Sequence, residues 1–165
     1  MSGCLDNVHC ECGFDLADKR NAVASITAGI LFFTGWWVII GLAAHDLPQG
    51  PTKDNPAFFH HAYYTCGVIG TVAMFMINAV SNSQVRGDAM TEGILGSRGA
   101  RLWLLMGFVL GFGALIAAMW ILFQVYVVPT TVSVTYPGVL LFLQNVLIFV
   151  GALVYKFGRT EELWG

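Results

Sequence analysis

LWLLMGFVLGFGALIAAMWILFQVYVV, residues 102–128, contains no charged residue and no proline. It is longer than the roughly 20 residues an α-helix needs to cross a hydrocarbon core about 30 Å thick. Its apolar residues are continuous rather than alternating, which excludes the lipid-out, lumen-in pattern of a barrel strand. Within it Gly107, Gly111, Ala114 and Ala118 recur at spacings of four, three and four, so one face of the helix is smooth. Lipid tails are as apolar as leucine, and helices in a bilayer associate through close backbone approach and interhelical polar contacts. A smooth face of this kind therefore predicts helix packing.

Three similar stretches follow on moving outward, at about 22–44, 62–80 and 137–157. With 56% hydrophobic and 11% charged residues and a mean hydropathy of +0.69, the chain has too little polar surface for a soluble domain of its length. The predicted fold is an all-α integral membrane protein, a four-transmembrane-helix bundle spanning 22–157. Residues 1–21 form an N-terminal segment and 158–165 a C-terminal tail. The first span is read as an uncleaved anchor, being too long for a signal-peptide core and preceded by Asp6, Glu11, Asp15 and Asp18.

Charge sets the orientation. Of the eight Lys and Arg residues, all but Lys53 fall on one side of this four-span arrangement: Lys19 and Arg20 before the first span, Arg86, Arg98 and Arg101 between the second and third, Lys156 and Arg159 at the end of the fourth. By the positive-inside rule both termini and the middle loop are expected in the cytosol. Trp36, Trp37, Trp103 and Trp120 suit interfacial anchoring, with packing between helices the alternative for Trp36 and Trp37. The net charge of −2 gives no basic face, so nucleic acid is not an expected partner. No Asn-x-Ser/Thr acceptor occurs.

Several long runs, in order, resemble the transmembrane protein 50 family, relatives of a fungal vacuolar-sorting membrane protein: KRNAVASITAGILFFTGWW (19–37), MINAVSNSQVRGD (76–88), RLWLLMGF (101–108), MWILF (119–123), YPG (136–138), QNVLIF (144–149) and KFGRTEELW (156–164). The match is weaker over the first eighteen residues and over 45–61. The resemblance implies a four-span protein of endoplasmic reticulum and endosomal membranes, with Golgi membranes as a further address, linked to trafficking and without catalytic activity or cofactor.

Ala24 and Ala28 give the first span a weaker small-residue face than that of Gly107, Gly111, Ala114 and Ala118. The intramembrane polar candidates are Asn78, Ser81, Gln144 and Asn145, with Gln124 near the end of the third span. Each is costly against lipid without a partner and is expected to turn inward or toward another protein. Asn78 and Asn145 are the best pair for a mutual hydrogen bond. Cys4, Cys10 and Cys12, beside His9, suit lipidation if cytosolic. Their Cys-x-Cys spacing lacks the second ligand pair of a structural zinc site, so no metal is assigned. His45, Asp46, His60 and His61 bracket the first luminal loop, where metal binding or pH sensing competes with simple interfacial placement.

Acids, bases and nucleophiles are not gathered inside the spans, which argues against an enzyme. The expected function is a non-enzymatic polytopic subunit or adaptor. It would pack with membrane lipids and a larger membrane complex, and support trafficking or intermembrane lipid transport. Self-association is a further option, and a small-solute or lipid transporter or channel is the alternative class.

Overall fold

The computed structural model of the chain describes residues 12–45 (side chains from 19 to 44), 59–87, 96–129 and 134–159. Helix α1 runs Cys12–His45, α2 Tyr64–Ala79 after a single 3-10 turn at His61–Tyr63, α3 Asn82–Arg86, α4 Gly96–Ile121 and α5 Tyr136–Gly158. A wide-turn segment, Leu122–Val127, continues α4. No strand occurs among the described residues. Four helices are long and apolar enough to cross a membrane: Lys19–Ala44, His61–Ala79, Gly96–Val127 and Tyr136–Gly158. The third begins ahead of the expected boundary near 102, because Gly96–Arg101 continues the helix into the polar side.

Helix α5 is the hub, packing on α1, α2 and α4, while α1 packs chiefly on α5 and α2 chiefly on α4. In this arrangement α2 and α5 run parallel, as helices not joined by a short loop can, and α1 and α4 run antiparallel to them. Helix α1 meets α2 through the hydrogen bond from Trp36 to Thr71, and Ile39 and Leu42 share a core cluster with Cys66.

The polar end shows how helix termini are closed. Carbonyls of a last turn have no partner within the helix and carry its negative dipole, so cations are favoured there. Arg20 Nε donates to Gly158 O at the end of α5 (3.0 Å), Arg101 Nε to Val85 O at the end of α3 (2.9 Å), and Lys156 Nζ to Val80 O just past α2. Lys156 is only 6% exposed. Arg159 lies over the Tyr155 ring and also donates to its hydroxyl. The same cations that predict orientation thus also cap the helices.

Ser81 belongs to this end too. It lies beyond α2 as the N-cap of α3, and forms a capping box in which Gln84 N donates to Ser81 Oγ and Ser81 N to Gln84 Oε1, both at 3.2 Å. It was expected inside the second span. A polar hydroxyl that can cap a following helix stops α2 instead, and Gly87 in the left-handed region (φ 87°) ends α3.

Candidate functional site

The interior of the bundle is built from small residues facing polar or bulky ones. Gly107, Gly111, Ala114 and Ala118 are all buried on one face of α4. A Cβ on Gly107 would lie 3.0 Å from Ile77 Cγ1 and 3.2 Å from Ile77 N, so α2 and α4 touch almost backbone to backbone. A Cβ on Gly111 would meet the Phe149 ring at 3.0 Å. Ala24 and Ala28 are buried on α1, where they face α5: Gly158 approaches Ala24, and Gly151 approaches Ala28 O. These six residues are consumed by contacts within one chain.

The amides also turn inward. Gln144 is 0% exposed and Asn145 2%, and α2 makes room for both with glycine. A Cβ on Gly67 would fall 2.5 Å from Gln144 Nε2, and one on Gly70 3.4 Å from Asn145 Oδ1. The expected bond between Asn78 and Asn145 does not form. Asn145 Nδ2 donates to Leu141 O (2.9 Å), while Asn78 Nδ2 donates to Met74 O (2.8 Å) and reaches Ala152 O at 3.5 Å. The reason is register: Asn78 lies level with Ala152, whereas Asn145 lies level with Gly70, about two helical turns away.

Two interior features were not legible beforehand. Trp36 Nε1 donates to Thr71 Oγ1 (3.1 Å), which in turn donates to Gly67 O (2.8 Å), so the two tryptophans of α1 part company. Trp36 turns toward α2, and Trp37 is 75% exposed. The Thr71 hydroxyl midway along the apolar second span was the available signal. The other feature is Tyr126, 1% exposed. The buried positions of α4, at 107, 111, 114 and 118, project through 121 to 125 as inward positions. The wide turn, with Val128 N bonded to Phe123 O (2.8 Å), inserts one residue and brings Tyr126 inward in its place. Its ring sits close against Gly138, where a Cβ would be 2.6 Å from Cδ2. Gln124 in the same segment is exposed.

At the opposite end from the cations, Phe59, Tyr63, Tyr64 and Tyr126 gather with Cys66, Ile39, Leu42, Ala118 and Leu141. Phe59 contacts the rings of Tyr63 (5.3 Å) and Tyr64 (5.2 Å) edge-on or tilted, a favourable arrangement for aromatic pairs. His60 and His61 are exposed and pack against Tyr63 and Tyr64. No group of three metal-ligating side chains occurs among the described residues. Cys4, Cys10 and His9 lie outside the described residues, as do Asp46 and the side chains of Cys12 and His45. On the outer surface a groove of about 670 Å³ is lined by Phe32, Phe33, Trp36, Trp37, Ile40 and Thr71, among others.

The fold and its packing define a polytopic α-helical membrane protein in which Gln144, Asn145 and Lys156 are buried within the bundle. Residues 4–164 match the uncharacterised protein family UPF0220, and the chain belongs to that family. It is also 30% identical, over 139 residues, to the Transmembrane protein 50 homolog of Dictyostelium discoideum, an alignment covering 82% of this chain and 88% of the relative. No solved structure matches the chain.

Proposed function

We propose that this protein is a non-enzymatic subunit that packs beside a larger membrane complex in the endoplasmic reticulum and endosomal system, supporting trafficking or intermembrane lipid transport. In this reading both termini face the cytosol. The observation that carries it is the position of α1. Its apolar window is 22% buried inside the bundle, the same share as that of α4, but α4 packs on both α2 and α5 whereas α1 leans chiefly on α5 and leaves the groove between itself and α2 open. A helix with one main neighbour, whose outward face presents Phe33, Trp37 and Ile40, offers a long contact surface to another polypeptide. The small-residue faces are taken up internally, so that outward face of large side chains is what a partner would meet.

The experiment is photocrosslinking from Phe33 and Trp37 in native membranes, followed by purification in mild detergent and identification of the adducts. A specific protein adduct at these positions, absent from Val109 on the outer face of α4, supports the reading. Adducts with lipid alone, together with solute flux by the isolated protein in vesicles, would favour a transporter instead. The amides within the bundle are the observation that favours that second class.

A further inference from the structure

Four side chains place polar atoms inside the membrane-spanning part of the bundle with no hydrogen-bond partner from the protein: Asn78 Oδ1, both amide atoms of Gln144, Asn145 Oδ1 and the Tyr126 hydroxyl. The direction of the two asparagines is fixed by chemistry. Each bonds a main-chain carbonyl four residues earlier, and only the NH₂ end can donate to a carbonyl, so each Oδ1 is turned into the interior as an acceptor. Hydrocarbon outside the bundle offers these atoms nothing, and an unmet polar group there costs several kcal/mol.

Their arrangement along α5 identifies what they hold. Gly138 carries Tyr126, Asn145 follows at the same face, and Ala152 faces Asn78. The positions 138, 145 and 152 repeat every seven residues and are thus about 10 Å apart. Between them on the same face lie Leu141 and Ile148, both fully buried. Polar and apolar layers alternate through the seam. The two asparagine oxygens cannot share one ion across that distance, and the one or two neutral oxygens per layer are too few for a metal. Gln144 is 0% and Asn145 2% exposed, which closes both to a lipid headgroup from outside the bundle. A single small donor per layer would satisfy these acceptors, and it must also be able to accept from Gln144 Nε2.

We propose that the α2–α4–α5 seam binds individual water molecules at the Asn145–Gln144 and Asn78 layers, as separate hydration sites isolated by Ile148. Buried water characteristically serves polar groups that the protein leaves unpaired. The sites are structural rather than conducting, because Leu141 and Ile148 interrupt any file.

The test is water-to-protein magnetisation transfer in NMR spectra of the full chain in lipid nanodiscs, with labelled Asn and Gln side-chain amides and labelled Ile and Leu methyls. Cross-peaks from water to the Asn145 and Asn78 amide protons, and none to the methyls of Leu141 and Ile148, are expected. Absence of transfer to both asparagines overturns the proposal. In Asn145→Leu the Asn78 cross-peak is expected to persist, and its disappearance from a folded variant would overturn the isolation of the two sites. Proton flux in vesicles containing the wild-type chain is expected to match that of protein-free vesicles, and a several-fold rise would likewise overturn isolation.

Discussion

Replacing Gly107 and Gly113 by alanine, one at a time, separates interhelical packing from helix propensity within a single helix. Both residues lie in α4, and alanine is favoured over glycine in a helix interior by about 0.8–1.0 kcal/mol. At Gly113 a Cβ would meet nothing within 4 Å, so that gain should survive nearly whole. At Gly107 the same methyl would sit 3.0 Å from Ile77 Cγ1, 3.2 Å from Ile77 N and 3.2 Å from Met76 Cβ. The side-chain carbon can swing away, but the amide nitrogen belongs to the backbone of α2, so that helix must retreat. Overpacking of this kind costs about 1–3 kcal/mol. Net of propensity, Gly107→Ala should lose up to about 2 kcal/mol, and the two variants should differ by about 1–3 kcal/mol. Reversible unfolding in bicelles, by steric trapping or denaturing-detergent titration, measures both in the same medium. Equal stabilisation of the two variants, within about 0.5 kcal/mol, would refute the backbone-to-backbone contact between α2 and α4.

Other outcomes follow from particular contacts. In a double-mutant cycle of Trp36→Phe and Thr71→Val, the coupling energy should be about 0.6 kcal/mol, the average for interhelical hydrogen bonds in membranes, and a coupling of zero would refute the hydrogen-bond link between these two residues of α1 and α2. Deleting Gln124 should convert the wide turn to a regular helix with Tyr126 still inward, whereas deleting Ala117 should turn every later residue of α4 off its face and prevent folding; equal tolerance of both deletions, read by detergent-resistant monomer yield, would contradict the register argument. Lys156→Met should free the Val80 carbonyl and cost about 1.5–3 kcal/mol, the range for a hydrogen bond to a charged group. Faster limited proteolysis at Arg86 should accompany that loss, and an unchanged cleavage rate would show that the end of α2 is held by other contacts.

Helix number and the gathering of Arg20, Arg101 and Lys156 at one end were written in the sequence, because each depends on local properties, apolar length and loop charge; helix starts were not, since α1 begins at Cys12 and α4 at Gly96, ahead of the apolar stretches expected from 22 and 102. The smooth face of α4 was also legible, since spacing along one helix fixes which residues share a face. What spacing could not supply was the neighbour of each face. That Asn145 meets Gly70 rather than Asn78, and that α1 leans on α5 rather than on α2, depends on how helices far apart in the chain slide and pair. Ser81 was misplaced into a span because its role as a cap depends on α3 forming after it. Tyr126 was invisible because a one-residue insertion in helical register leaves no compositional mark.

The amino-acid sequence by itself determined that this chain crosses a membrane as four helices, for the solvent alone enforces that result: hydrocarbon tolerates no unpaired backbone and rewards every apolar side chain alike. For the same reason it could not determine the partners of those helices. Lipid does not distinguish one apolar face from another, so the choice fell to steric fit at glycines such as Gly67 and Gly107 and to a few buried amides, whose positions only the tertiary structure reveals.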